Sequence, residues 1–255
     1  MINHFCRLAA ACVLVVFSVS AVMAAPLNVV HSGKWPPYSD QGLPGQGLGV
    51  ELVTEAFKRA GYETYLSTDT WERILEGGKI GVYDVVATAW YSDARSQYLE
   101  FSEPYLESYV RFITKKGSKF RFNDMNDLGG QMIGTLIDYA YEPQFDAARD
   151  LIKISERNMV QNLLKLNQGR IDATLGDERV LKYQINQYLP NSMSGFEILP
   201  KPLTVSGIFI GVSRENPDHE KIVADFNKAI EAMKKDGSYD RIIEKHNAYI
   251  EQPAS

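Results

Sequence analysis

One short stretch of this sequence combines a cation, aromatic rings and the end of a strand. Residues 84–105 read DVVATAWYSDARSQYLEFSEPY, in which an apolar strand is followed by Trp90, Tyr91, a polar turn and Arg95. A guanidinium group offers a planar pair of N–H donors that matches the two oxygens of a carboxylate. Aromatic faces bury the apolar part of an organic ligand. The stretch therefore predicts recognition of a small anionic or zwitterionic molecule.

Strands and helices alternate along the rest of the chain. Apolar strands are predicted at 27–31, 63–67, 84–89, 110–115, 131–136, 172–175 and 207–213, with amphipathic helices between them. A short helix is predicted at 71–76, ended by Gly77 and Gly78. The alternation indicates an α/β fold with mainly parallel sheets flanked by helices. Open sheets of this kind bind ligands beyond the carboxyl ends of their strands, and Arg95 and Asp177 directly follow predicted strands.

The first residues of the chain predict export. Residues 8–22 form an apolar run after a weakly basic start, and Val22-Met23-Ala24 has the small residues of a signal-peptidase site. The run is short for a membrane span, which needs about 20 apolar residues. We therefore expect residues 1–24 to be a cleavable signal peptide and the rest of the protein to be periplasmic.

Composition excludes several classes of function. Both cysteines of the chain, Cys6 and Cys12, lie in the predicted signal, so disulfides and cysteine–zinc sites are not expected in the remainder. The chain has 32 acidic against 27 basic residues, which argues against a nucleic-acid partner. Its histidines are scattered, and it contains no HExxH, GxSxG or phosphate-loop motif. We expect no metal, no cofactor and no catalytic residue.

A series of short motifs follows in a fixed order along the chain. They are Trp35-Pro36-Pro37-Tyr38, the helical run 49–61, Trp71 followed by Asp84, Arg95 with Phe101-Ser102-Glu103-Pro104-Tyr105, Asp127-Leu128, the run 166–177, and Gly237. None of these motifs is specific by itself, but their order covers nearly the whole chain after residue 24. The ordered set resembles the bacterial extracellular solute-binding proteins of family 3, the periplasmic receptors of polar amino-acid importers.

The resemblance implies a two-lobed periplasmic-binding-protein fold of type II, in which two hinge crossovers join the lobes and ligand binding closes them. It implies that residues 25–107 form the first part of lobe 1, 108–206 form lobe 2, and 207–255 return to lobe 1. The crossovers are expected near 106–109 and 203–206. It also implies a monomer that captures a small-molecule solute for ABC-type import through an inner-membrane ABC permease.

The resemblance also assigns ligand-binding roles to individual residues. It implies that Arg95 clamps the α-carboxylate of the ligand and that Asp177 receives its α-ammonium from lobe 2, since a buried ammonium needs a carboxylate partner. It implies that the rings of Trp35 and Trp71 enclose the ligand.

Each role has a plain structural alternative. These are a salt bridge from Arg95 to Glu100 or Glu103, a helix N-cap at Asp177, and core packing for the two tryptophans.

Other positions depart from the family pattern and change the expected pocket. Trp90 takes the place of the small residues that usually precede the arginine, so we expect Trp90 to add a stacking face and Thr88 to supply the hydroxyl. Asp138 and Tyr139 replace the usual glycine-serine-threonine turn of lobe 2, and Asp138 favours a cationic or neutral group. The expected ligand is a small polar, amino-acid-like carboxylate.

Two other functions are compatible with the sequence. Some family members resemble periplasmic dehydratases that act on small cyclic carboxylates, for which Glu178, Asp138 and Asp177 are the acid/base candidates. A receptor that presents its ligand to a sensor protein would need the same pocket as one that serves an importer.

Overall fold

The computed structural model describes residues 25–252 except positions 138, 140, 190 and 191. The predicted signal peptide, residues 1–24, and the predicted ligand residue Asp138 lie outside the described residues. None of the helices in the described part combines the length and the apolar character that crossing a membrane requires.

Nine strands and eight α-helices make up the described part of the chain. The strands are β1 Leu27–Ser32, β2 Thr64–Asp69, β3 Val85–Ala89, β4 Leu99–Phe101, β5 Leu106–Lys115, β6 Met132–Leu136, β7 Ile152–Glu156, β8 Ala173–Asp177 and β9 Phe196–Ser213. The helices are α1 Leu48–Arg59, α2 Trp71–Lys79, α3 Asp93–Ser96, α4 Pro143–Ala147, α5 Met159–Asn167, α6 Glu178–Tyr188, α7 His219–Lys235 and α8 Ser238–Glu251. The predicted α/β alternation is confirmed.

The strands join in the order β2-β1-β3-β9-β5-β8-β6-β7, and β4 pairs with β9. At one end β1 runs parallel to β2 and β3, and at the other end β6 runs parallel to β7 and β8. The middle pairings, β3 with β9, β9 with β5 and β5 with β8, are antiparallel. Each end of the sheet is therefore a parallel α/β unit, and the antiparallel strands in the middle connect the two units.

The connection between the units is one pair of long strands. Strands β5 and β9 pair from Leu106 opposite Ile208 to Lys115 opposite Phe196. The stretches expected to be crossovers, 106–109 and 203–206, therefore lie side by side and are hydrogen-bonded to each other.

Strand β9 begins at Phe196, eleven positions before the predicted start at 207. The sequence prediction missed this first part because Pro200 and Pro202 interrupt the strand pattern. Proline has no N–H to donate to a neighbouring strand. The register of the β5–β9 pair shifts on both sides of Arg111, which lies opposite Pro202. The strand accommodates its prolines at these irregular positions.

The predicted end of α2 is wrong, because the helix continues through Gly77 and Gly78 to Lys79. The ring of Tyr83 lies so close to Gly77 that a Cβ there would be 2.4 Å from the ring. These glycines let neighbouring side chains pack closely against the helix, and they do not end it. By contrast, β3 is buried along its whole length, as its apolar composition predicts.

A polar cluster around the buried side chain of His246 ties α8 to α1. Nε2 of His246 lies 2.8 Å from Oε2 of Glu51, and Nζ of Lys245 lies 2.7 Å from Oε1 of the same residue. Burial lowers the pKa of His246 below its usual 6.5, and Glu51 opposes only part of this shift. Burial alone would raise the pKa of Glu51, but the hydrogen bonds from Lys245 and His246 outweigh it and leave the pKa lowered.

This cluster predicts acid sensitivity. Both pKa values are depressed in the folded protein, so the unfolded chain takes up protons first as the pH falls. The stability contributed by His246 is present above its usual pKa of 6.5 and is lost as the pH falls through its lower folded pKa. We expect the free energy of unfolding in urea to decrease between about pH 7.5 and about pH 5.5, and to decrease less in His246→Gln. The same pH dependence in both proteins would show that the cluster plays no part.

Candidate functional site

The residues predicted to hold a carboxylate lie on one segment that leaves the sheet at the end of β3. Thr88 belongs to β3, Trp90 follows the strand, and Arg95 lies in the short helix α3. The hydroxyl of Ser92, the N-cap of α3, accepts a hydrogen bond from the backbone N–H of Arg95 at 3.3 Å. We refer to residues 88–95 as the donor segment, because it brings three side-chain hydrogen-bond donors to one edge of the sheet.

The guanidinium group of Arg95 is held from two sides. One of its terminal nitrogens donates a hydrogen bond to the carbonyl of Trp90 at 2.8 Å, and its central carbon lies 5.1 Å from the centroid of the Trp71 ring. The predicted alternative, a salt bridge to Glu100 or Glu103, does not occur within the described ranges, and Glu100 pairs with Arg214 at 2.7 Å. Arg95 is therefore fixed in place with further N–H donors left for a ligand.

Two other polar atoms of the donor segment are buried without a protein partner. Neither the Thr88 hydroxyl nor the Trp90 indole N–H has a hydrogen-bond partner among the residues that the structure describes. Thr88 is only 3% exposed. A buried polar group left unpaired costs about 1–3 kcal/mol, so an acceptor on a ligand would gain stabilisation here.

Aromatic rings from both ends of the sheet meet beside the donor segment. The Trp90 ring lies edge-on to Trp35, with centroids 5.5 Å apart, and to Tyr139, with centroids 5.6 Å apart. Burial, with smaller contributions from Asp177 and Tyr141, raises the pKa of Tyr139, so its phenol is protonated at neutral pH. The structure thus brings Trp35, Trp90 and Tyr139 together at one edge of the sheet.

The tryptophans also contribute to the core. Trp35 and Trp90 are partly buried against the apolar cluster that includes Leu48, and Trp71 packs against the cluster that includes Ile74. Core packing, the predicted structural alternative for Trp35 and Trp71, is therefore observed for both residues.

Asp177 lies at the end of β8, where it caps α6. Its Oδ1 accepts the backbone N–H of Val180 at 3.0 Å, which confirms the N-cap alternative. Its Oδ2 accepts hydrogen bonds from the hydroxyls of Tyr38 and Ser108, both at 2.8 Å. Burial raises the pKa of Asp177, and the hydrogen bonds from Val180, Ser108 and Tyr38 offset only part of this effect.

Sequence reasoning missed the hydroxyl partners of Asp177. Tyr38 ends the Trp35-Pro36-Pro37-Tyr38 motif, but it lies 139 positions before Asp177, and nothing local indicates that its hydroxyl faces that carboxylate. Ser108 lies in β5, in the stretch 106–109 that was expected to be a crossover, and its sequence neighbours do not indicate a partner. Both contacts depend on how the two ends of the sheet are joined.

The acid/base candidate Glu178 has two cationic partners. Its carboxylate accepts hydrogen bonds from Nε of Arg111 at 2.6 Å and from Nζ of Lys182 at 2.8 Å. Burial would raise its pKa, but these two partners outweigh burial and leave the pKa lowered. An ionised, doubly paired carboxylate is suited to an ion-pair network and is a poor proton donor.

Comparison with known proteins settles the family. The family model of bacterial extracellular solute-binding proteins, family 3, matches residues 27–248. This chain belongs to that family. The resemblance expected from the ordered motifs is confirmed, and with it the two-lobed α/β fold.

Individual relatives of this family 3 protein cover most of its length. The ABC transporter arginine-binding protein 1 of Escherichia coli (strain K12) is 24% identical over 240 residues, which cover 92% of this chain and 96% of the relative. The L-cystine-binding protein TcyA of Bacillus subtilis (strain 168) is 29% identical over 226 residues, covering 86% and 80%. A solved structure of an ancestral arginine-binding protein bound to arginine has a TM-score of 0.65 at 26% identity, covering 88% of this chain and 98% of that chain.

Proposed function

We propose that this family 3 protein is a periplasmic receptor that captures a small polar, amino-acid-like carboxylate between two lobes for ABC-type import. The observation that carries the proposal is the donor segment. Arg95 is held in place without a carboxylate partner in the described part of the chain, and the polar atoms of Thr88 and Trp90 are buried beside it without partners. The rings of Trp35 and Tyr139 supply the apolar walls.

The proposal includes the arrangement of the chain. Residues 1–24 direct export, 25–107 and 207–255 form lobe 1, and 108–206 form lobe 2. The β5–β9 pair supports this division, because both connections run through it side by side. The protein acts as a monomer and delivers its solute to an ABC permease in the inner membrane. The Escherichia coli relative, ABC transporter arginine-binding protein 1, supports this partner.

We also propose that the protein binds its solute without converting it. The paired state of Glu178 supports this reading over the dehydratase alternative, since that reaction needs a group that exchanges protons with the substrate. Mass spectrometry of small cyclic carboxylates after incubation with the purified protein is expected to show no product.

The test of the proposed function is a ligand screen by thermal unfolding. The chain without residues 1–24 is tested against amino acids, small organic acids and polyamines. A ligand present at about a hundred times its dissociation constant adds roughly 2.7 kcal/mol to the free energy of unfolding. We expect every stabilising compound to carry a carboxylate. Polyamines are the matched negative class because they are charged and flexible but have no carboxylate. Stabilisation by polyamines alone, or by no compound of these classes, would refute the proposed function.

A further inference from the structure

The two oxygens of Asp177 are used unequally by the protein. An ionised carboxylate has about four acceptor positions, two on each oxygen. The hydroxyls of Tyr38 and Ser108 take both positions on Oδ2, each at 2.8 Å. The Val180 N–H takes one position on Oδ1 at 3.0 Å. Among the described residues no other group donates to this carboxylate, so the remaining position lies on Oδ1.

That remaining position suits a cation. Asp177 is 2% exposed, and all its hydrogen bonds come from neutral donors. Neutral donors compensate a buried charge less well than a paired opposite charge does. Burial raises the pKa of Asp177 for the same reason, and its three hydrogen bonds offset only part of the effect. The ammonium group of an amino-acid solute at Oδ1 would complete the compensation.

Of the three donors to Asp177, Tyr38 alone comes from the other side of the cleft. In the proposed division Tyr38 belongs to lobe 1, whereas Asp177 and its other two donors belong to lobe 2. The rings of Trp90 and Tyr139, with centroids 5.6 Å apart, make a second contact between the two sides. Separating the lobes would therefore remove the Tyr38 hydroxyl from Asp177 and leave the other two donors in place.

Tyr38 is held in position to make this bond. Its side chain is fully buried, and its ring packs against Trp35 with centroids 4.6 Å apart. Its backbone N–H donates to the carbonyl of Trp35 at 2.9 Å, and its own carbonyl accepts the N–H of Gly49 at 2.9 Å. Little freedom is lost when such a hydroxyl meets its acceptor, so the bond contributes nearly its full strength to closure.

We propose that the Tyr38 hydroxyl is a latch between the lobes, which binds Oδ2 of Asp177 when they close and leaves Oδ1 for an ammonium group of the solute. This inference rests on the proposed function and adds a means of retaining the solute. Because the latch and the ammonium use different oxygens, both bonds are present in the closed complex. The lobes must break the latch before they can open, so it slows the release of the solute.

The experiment measures how fast a bound amino acid is released. The chain without residues 1–24 is screened against the protein L-amino acids, and the one that binds most tightly is used as the probe in stopped-flow fluorescence. In Tyr38→Phe we expect dissociation to be at least about tenfold faster, which corresponds to about 1.4 kcal/mol. Association should change by less than about twofold, since the latch forms after the solute has entered. Unchanged or slower dissociation in Tyr38→Phe overturns the inference.

A second probe separates the latch from a general effect on Asp177. This probe is the same compound without its α-amino group. Since the latch acts on closure, Tyr38→Phe should accelerate the release of both probes by a similar factor. Asp177→Asn, which removes the charge that faces the ammonium, should weaken the amino acid more than its deaminated analogue. If the loss in Tyr38→Phe is confined to the amino acid, the hydroxyl acts on the ammonium site alone and is not a latch.

Tyr62→Phe is the matched control. It removes another hydrogen bond between tyrosine and aspartate, from Tyr62 to Asp225 at 2.8 Å, but both partners lie within the proposed lobe 1. Its release rates should equal those of the wild-type chain. Urea unfolding of both tyrosine variants checks that each is folded. If Tyr62→Phe accelerates release as much as Tyr38→Phe does, the effect is one of general stability and the inference is overturned.

A distance measurement tests the latch without any solute. The chain has no cysteine after residue 24, so spin labels can be attached at Glu72→Cys and Gln144→Cys alone. Both positions are exposed, on α2 and α4, which follow strands of different lobes. If no amino acid or other carboxylate binds, the proposed function fails and the latch is judged by this distance. A longer mean distance in Tyr38→Phe than in Tyr62→Phe then supports the latch, and equal distances overturn it. If only carboxylates without an amino group bind, the proposed function stands and the inference is overturned.

Discussion

Replacing Arg95 with alanine is expected to weaken the binding of carboxylate ligands by about a hundredfold to a thousandfold, or roughly 3–4 kcal/mol. The guanidinium is preorganised by the carbonyl of Trp90 and by the face of Trp71, so little entropy is lost when it clamps a ligand. Without it the ligand's carboxylate enters a partly buried site with no cation to pair with, and the desolvation of that charge is left uncompensated.

Calorimetric titration with the tightest ligand from the screen measures this loss. Arg95→Lys keeps the charge but not the planar pair of donors, so we expect an intermediate affinity. Arg73→Ala is the matched control: Arg73 lies on α2 with its side chain 77% exposed, and it lies 3.7 Å from Asp69 in a long ion-pair contact. If Arg95→Ala binds like Arg73→Ala, the carboxylate is held elsewhere and the proposed pocket is wrong.

Replacing Gly47 with alanine is expected to destabilise the protein by about 3 kcal/mol or more. Gly47 precedes α1 with φ 109° and ψ 158°, a conformation that is essentially restricted to glycine and costs other residues about 1–3 kcal/mol. An added Cβ would also lie 2.6 Å from the carbonyl oxygen of Tyr38. That atom belongs to the backbone, so no side-chain rotation relieves the clash, and the loop that carries Tyr38 must shift.

Two further glycines separate the causes of this effect. Gly61 has φ 85° with no atom near the position of a Cβ. Gly61→Ala should therefore lower the free energy of unfolding only by the cost of a left-handed alanine, about 1–2 kcal/mol. Gly195 has neither a left-handed φ nor a neighbouring atom, so Gly195→Ala should be nearly neutral. Urea unfolding of all three variants at one temperature gives the comparison. If Gly47→Ala and Gly61→Ala are equally stable, the loop that carries Tyr38 relieves the clash without lowering the free energy of unfolding.

Local sequence patterns predicted the elements whose stability is local. Helix α6, Glu178–Tyr188, lies between predicted strands where an amphipathic helix was expected, because Asp177 supplies a cap and the apolar residues recur at helical spacing. The first part of β9 was missed because its prolines are tolerated only through the irregular pairing with β5. Strand β7, Ile152–Glu156, was missed because its short polar pattern becomes a strand only where it pairs with β6. These elements depend on partners distant in the sequence.

The same distinction applies to the candidate site. Thr88, Trp90 and Arg95 lie close together in the sequence, and the end of a strand indicates that they share one edge, so the donor segment could be predicted. The hydroxyls that bind Asp177 come from a loop and from a middle strand, and their orientation depends on the assembled fold. A sequence pattern can place a carboxylate at a helix start but cannot show which donors are already bound to it.

The position of β9 also affects the order in which the chain can fold. The parallel unit of β1, β2 and β3 obtains its antiparallel neighbour only from the end of β9, where Val85 pairs with Val212. All the residues of β5 to β8 are synthesised between these two partners, and such distant contacts form late. As the polypeptide emerges, its amino-terminal unit therefore cannot complete its sheet until most of the protein has appeared. If the protein is exported as proposed, a chain that remains incompletely folded for so long is well suited to being threaded through a secretion channel before it acquires its final structure.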